Sequence, residues 1–360
     1  MERVLDNPNI ALRHIQIPAL LTASSRAMFV VLAPLKINPP AIPTLLVARV
    51  CAWLTGARLV IDWHNYGFTI LGMKLGPTHP IVSLARRFER CFGKRAYAHL
   101  CVTDAMAADL RQNWRISGQL VVLHDRAPRH FRRLDTAEIH QLWTRLLEDP
   151  QLEPLQPLSA DGALLTARGS DGTIDMRSGR PMLLVSSTSW TADEDFSILL
   201  AALKLYDAAA TSQVVARSAG TAALPPLAVL ITGKGPQREH YEQEIAQLGL
   251  QQVRIATAWL SAEDYPLLLG SADLGVSLHT SSSGLDLPMK VVDMLGIHEL
   301  VTGANGLVFE DAGELARQIQ DLAASQRSAS DGRYQKLLEG AAAFRSVDWT
   351  TNYQRVLELF

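Results

Sequence analysis

Short runs of Val, Ile and Leu recur along the chain and alternate with longer amphipathic stretches. The runs predict strands at Met28–Leu32, Arg58–Asp62, His99–Thr103, Leu120–His124, Met182–Ser186, Leu227–Thr232, Val253–Ala256 and Leu274–Leu278. Most are continuously apolar rather than alternating, as in strands covered on both faces of a parallel sheet. The spacers predict helices at Pro43–Leu54, Pro80–Gly93, Ala105–Asn113, Asp193–Asp207, Pro236–Leu248, Ala262–Leu269 and Pro288–Leu295. Strand–helix alternation of this kind implies an α/β fold with right-handed crossovers.

Between Arg126 and Arg180 the pattern fails, giving way to Arg, Asp, Pro, Gly and Ser clusters. This stretch is expected to be an insert or hinge between two α/β domains. The expected division is 1–135, a variable segment 136–180, a second domain 181–330, and C-terminal helices over 331–360 that pack back on the first domain. At 360 residues two domains are expected.

Composition narrows the functional classes. Lys plus Arg is 34 and Asp plus Glu is 36, which gives no electrostatic case for nucleic-acid binding. Hydrophobic residues reach 48%, which excludes disorder. Cys51, Cys91 and Cys101 are scattered, which argues against a disulfide framework. The histidines show no metal-ligand spacing, and no metal is expected. Neither Ile17–Leu21 nor Ala41–Leu54 is long and unbroken enough for a membrane span.

Three constellations could carry chemistry. Gly233-Lys234-Gly235 follows a strand and precedes Pro236, a turn through which a backbone could approach a phosphate, with Lys234 adding charge. A plain strand-to-helix turn with an exposed Lys is the alternative, and the motif alone is a weak signal. The run from His279 through Ser282, Ser283, Gly284 and Asp286 to Lys290 and Asp293 is dense in polar groups at a strand end, where open α/β sheets bind ligands. Lys290 and Asp293 share a helix face, so an ion pair is the alternative. Lastly, a buried strand runs into Asp62-Trp63-His64-Asn65-Tyr66-Gly67, where His64 could serve as a general base or as a donor to a phosphate, a hydrogen-bonded structural histidine being the alternative. The carboxylates of Asp193-Glu194-Asp195 are expected to serve a helix start, not a metal.

Taken together, Ile61–Gly67, Leu100–Met106, Leu184–Thr191, Asp193–Leu203, Ile231–Pro236 and Glu263–Val276 resemble the eukaryotic chitobiosyldiphosphodolichol β-mannosyltransferase family, the first mannosyltransferases of N-glycan precursor assembly. The resemblance runs from about Ala27 to Phe309, with Ser159–Ser178 divergent. It implies a GT-B fold, two Rossmann-like domains facing a cleft, with the donor held mainly by the second. It implies transfer of mannose from GDP-mannose to dolichyl-diphosphate chitobiose, inverting to a β1,4 linkage, with no cofactor. It also implies the cytosolic face of the endoplasmic reticulum membrane and other mannosyltransferases of the pathway as partners. In that frame Gly233, Lys234, Gly235, His279, Ser282, Ser283, Gly284, Lys290 and Asp293 bind the donor. Lys290 meets the diphosphate and Asp293 a ribose hydroxyl. His64 is the leading base, and Asp286 is the rival base or a sugar-positioning group.

Two departures from the family pattern are expected to matter. The chain opens near the approach to the second strand, without the family's anchor and first strand. Met294-Leu295-Gly296 runs straight into Ile297–Val301, where the family has a Pro-Val strand and turn. Both sheets are therefore expected to lack a strand. A catalytically impaired relative acting as a scaffold for the mannosyltransferases is the alternative function.

Overall fold

The computed structural model describes residues 35–37, 42–191, 193–215, 224–279, 281–286, 288–295, 302–327, 332–346, 353, 354 and 356. The expected strand Met28–Leu32 and the segment Ile297–Val301 lie outside the described residues. The chain divides into two compact units. Unit 1 comprises Met1–His124, Ser281–Leu287 and Asp348–Phe360; unit 2 comprises Asp125–Thr280 and Pro288–Val347.

Unit 1 is a parallel sheet of β1 (Leu35–Ile37), β2 (Leu59–Trp63), β3 (Arg95–Cys101) and β4 (Ser117–Val122), in that spatial order. The connections carry helices α1 (Ile42–Thr55), α2 (Gly67–Leu75), α3 (Pro80–Gly93) and α4 (Asp104–Asp109). In β2 and β3 successive residues serve opposite faces. Ile61, Trp63 and Cys101 pack with Leu45, Met106 and Trp114, while Val60, Ala98 and Leu100 pack with Val356. Helix α2 was not expected from the sequence. Tyr66 supplies no side-chain cap to it. Instead the buried Glu89 of α3 accepts from the backbone N–H groups of Gly67 and Phe68 at 2.8 and 2.9 Å. A remote carboxylate thus satisfies the orphan donors of the first turn.

Unit 2 opens with α5 (Thr136–Leu146), 3-10 turns over Pro150–Leu158 and a hairpin of β5 (Thr166–Arg168) and β6 (Ile174–Met176). Its main sheet holds β7 (Met182–Thr188), β8 (Leu227–Gly233), β9 (Val253–Ala258) and β10 (Leu274–Val276), all parallel, in the order β10-β7-β8-β9. Helices α6 (Phe196–Val215), α7 (Arg238–Gln247), α8 (Asp264–Ser271), α9 (Met289–Leu295), α10 (Ala312–Arg327) and α11 (Arg333–Ser346) complete it. Among the described residues the ladder ends at β10.

The segment read as a hinge is in fact part of the unit 2 core. Ile139, Leu142, Trp143 and Leu146 recur at helical spacing and pack with Leu152, Leu155 and Leu164 against Leu183, Val185 and Leu230 of the sheet. Polar and proline content hid this period. The opposite sheet face, Leu184, Val229 and Ile231, packs on α6 and α10. α6 is long and apolar enough to cross a membrane, yet its Phe196, Leu199, Leu203 and Tyr206 are core residues of unit 2. Of the C-terminal residues, Arg333–Ser346 belongs to unit 2, and Tyr353 and Val356 pack in unit 1.

Candidate functional site

In unit 1 the carboxyl end of β2 delivers Asp62 and His64. Two residues apart on an extended strand, their side chains emerge on one face. His64 Nε2 lies 3.2 Å from Asp62 Oδ2; the His side chain is 34% exposed and the Asp 7%. A buried carboxylate thus backs an accessible imidazole. The strand itself is fixed by Trp63, fully buried, whose indole N–H donates to His99 Nδ1 at 3.1 Å. His99 Nε2 lies 3.2 Å from the Ser117 carbonyl, and burial holds its basicity below the ordinary histidine value.

The Ser-rich loop 281–286 packs in unit 1, beside this strand end. Ser281 and Ser283 hydroxyls donate to Asp286 Oδ1 at 2.5 and 2.9 Å. With its amide nitrogen turned toward the loop, Asn65 donates to both Asp286 oxygens at 3.2 and 3.1 Å. The Ser282 and Thr69 hydroxyls are 2.9 Å apart, and Thr103 donates to the Leu285 carbonyl. Gly284 makes the left-handed turn, at φ 70°. Asp286 is the hub that gives this loop its shape.

In unit 2 the sheet's carboxyl edge gathers the other candidates. Lys290, in the first turn of α9, donates to Glu194 Oε1, and to Ser189 Oγ at 3.2 Å. Glu194 is 2% exposed. Its second oxygen accepts from Thr188 Oγ1 at 2.6 Å and the Ser189 N–H at 2.8 Å. His279 Nδ1 is 3.6 Å from Asp193 Oδ2. The helix expected over Asp193–Asp207 starts at Phe196, and it is Asp195 that caps it, accepting from the Ser197 N–H at 3.0 Å. Of the three consecutive carboxylates, Asp195 therefore caps, Glu194 holds Lys290, and Asp193 lies against His279. Among the described residues no cluster of His, Cys, Asp or Glu could hold a metal.

The glycine turn has an internal explanation. A Cβ on Gly233 would come within 1.8 Å of the Thr188 carbonyl oxygen, and one on Gly235 within 1.7 Å of the Ser189 carbonyl oxygen. Both glycines let the β8 turn pack against the chain's own backbone. Pro236 precedes the helix, which starts at Arg238, rather than opening it. Lys234 places its ammonium 4.5 Å from the centroid of the Trp259 ring.

No protein-family model matches the chain. The chitobiosyldiphosphodolichol beta-mannosyltransferase of Mus musculus is 48% identical over 303 residues, covering 79% of this chain and 61% of that protein. The chain thus spans less than two thirds of that relative. The protein of the same description from Arthroderma benhamiae is 38% identical over 402 residues, covering 100% of this chain and 83% of that one. The chain belongs to this family. The crystal structure of Anabaena HepE in complex with UDP superposes with a TM-score of 0.59 at 16% identity, over 90% of this chain and 77% of that one. This likeness shows the fold, the α/β GT-B architecture expected from the sequence.

Within the family frame, the structure gathers His64, Ser282, Ser283, Gly284 and Asp286 in unit 1. Gly233, Lys234, Gly235, His279, Lys290 and Asp293 lie in unit 2. Sequence reasoning passed over Asp62 and misassigned Glu194. The two-residue spacing of Asp62 and His64 was a usable signal for the first. The pairing of Glu194 with Lys290, 96 residues away, left none.

Asp293 is half-buried, and burial raises its carboxyl to about 6, against a smaller opposing pull from His130. Below pH 4 both folded and unfolded chains carry it protonated. Between pH 4 and 6 only the unfolded chain ionises it, so stability falls as pH rises through that window. At a half-buried site screened by water the loss is about 1 kcal/mol. Asp293→Asn is therefore expected to melt a few degrees higher than the parent at pH 7.5 and at the same temperature at pH 4. Thermal denaturation at the two pH values checks this.

Proposed function

We propose that this chain transfers mannose from GDP-mannose to GlcNAc2-diphosphodolichol, forming a β1,4 linkage with inversion. The observation that carries the reading is family membership across the whole chain at 38% identity. The retained polar groups at the strand ends of both units support it.

In this reading the acceptor hydroxyl attacks the anomeric carbon of mannose from the face opposite the diphosphate, and the bond to GDP breaks as the new bond forms. His64 takes the hydroxyl proton, with Asp62 steadying the imidazolium that results. Lys290 meets the charge developing on the diphosphate. Glu194 holds the ammonium through one of its three N–H bonds and Ser189 through another, which leaves a third for a phosphate oxygen. Asp293 receives a ribose hydroxyl. The reading invokes no metal and no cofactor. A dolichol-linked acceptor calls for work at a membrane, here the cytosolic face of the endoplasmic reticulum, beside the other mannosyltransferases of the pathway.

The test is incubation of the purified chain with GDP-mannose and a lipid-linked chitobiose acceptor. The expected result is a mannosylated acceptor with one GDP released per transfer. GDP binding with no transfer would overturn the catalytic reading and leave a nucleotide-binding relative.

A further inference from the structure

The carboxyl edge of the unit 2 sheet holds an aromatic group that the donor reading leaves unused. β7, β8 and β9 end within one residue of one another: Thr188 pairs with Gly233, and Thr232 with Ala258. The next residues along that edge are Ser189, Lys234 and Trp259. Trp259 is 51% exposed, although Ala258 before it and Leu260 after it are buried. Its backbone N–H donates to Gln151 Oε1 at 3.2 Å. The indole is thus displayed from a fixed anchor, and Lys234 stands over it. An exposed tryptophan held this way, at the edge where open α/β sheets take their ligands, has the form of a stacking platform.

The spacing along the edge gives the platform a direction. Ser189, which Lys290 contacts, follows β7, and Trp259 follows β9. Two strand spacings separate them, ~10 Å. That is about the reach of an extended nucleoside diphosphate from its base to its terminal phosphate. The cation at the β7 end suits the diphosphate, and the aromatic at the β9 end suits the base. Lys234, between them, follows β8.

We propose that Trp259 is the base platform of the donor site: the purine of GDP stacks on its exposed indole, and the ribose and diphosphate run along the sheet edge toward Ser189 and Lys290. Lys234 then belongs to the aromatic end of the site, where its charge supports the ring and borders the ribose, rather than to a phosphate-binding glycine loop. This inference rests on the reading of the edge as a GDP-mannose site.

The experiment measures binding of GDP, and separately of inorganic pyrophosphate, to the full chain and to Trp259→Ala and Trp259→Phe by calorimetry. Stacking on an aromatic predicts that Trp259→Ala weakens GDP by roughly 5- to 100-fold. Trp259→Phe keeps a stacking ring and should retain most of the affinity. Pyrophosphate has no base to stack, so its affinity should be equal in all three proteins. Unchanged GDP affinity in Trp259→Ala would overturn the platform while leaving the donor reading intact. Equal losses of GDP and pyrophosphate would also overturn it, since that is the mark of a structural role. Absence of GDP binding by the parent chain would overturn the donor reading and the platform together.

Discussion

His64→Ala is expected to lower mannosyl transfer by ~10²–10⁴-fold while GDP affinity stays at the parent value. The imidazole stands at the end of a buried strand whose position is set by Trp63 and His99, so the substitution removes a side chain at the strand mouth rather than part of the core. Asp62 is the buried partner at 3.2 Å. A histidine backed in this way can take a proton and keep the resulting charge paired. Single-turnover rates and calorimetry on the same preparation separate chemistry from donor binding. Turnover near the parent value would move the proton-transfer role to Asp286. That outcome would require a carboxylate already accepting from Ser281, Ser283 and Asn65 to give up part of this network during the reaction.

Lys290→Ala is expected to act twice. It leaves Glu194, 2% exposed, as a buried carboxylate without its cation, which costs about 3–5 kcal/mol of unit 2 stability. It also removes a charge-assisted contact to the diphosphate, worth about 1.5–3 kcal/mol, so GDP should bind roughly 10- to 100-fold more weakly. The two effects separate in a double substitution. Glu194→Gln keeps an acceptor for Thr188 while removing the charge, so Lys290→Ala with Glu194→Gln should recover most of the melting temperature but none of the GDP affinity. Recovery of both would show that Lys290 is a structural partner of Glu194 and not a phosphate ligand.

Much of the framework could be read from one-dimensional patterns. The apolar runs located β2, β3, β4 and β7 through β10 to within a few residues, because a strand covered on both faces leaves an unbroken hydrophobic signature. The helix at Pro80–Gly93 matched its prediction, with Pro80 at the first turn and His79 capping it. Helix α2 escaped because its first turn is capped by Glu89 from a different helix, a signal that no local window contains. Helix α5 escaped for a different reason. Its period was present in Ile139, Leu142, Trp143 and Leu146, but the prolines and glycines around it dominated the segment.

The sequence by itself determined the alternation that builds two parallel sheets and the strand ends where polar residues collect. It also carried strings specific enough to point to a mannosyltransferase family. Those properties are local, since they follow from residue type and spacing along a few turns or strands. Only the tertiary structure decided which groups meet. It docked Ser281–Asp286 in unit 1 with Asn65, Thr69 and Thr103 and left Lys290 in unit 2. It paired that lysine with Glu194 across 96 residues, and it put Lys234 on Trp259. It also showed Gly233 and Gly235 to be demanded by the carbonyls of Thr188 and Ser189. Each of these depends on distances between residues remote in the chain, fixed by strand order and close packing, and the order β10-β7-β8-β9 has no counterpart in any local stretch of sequence.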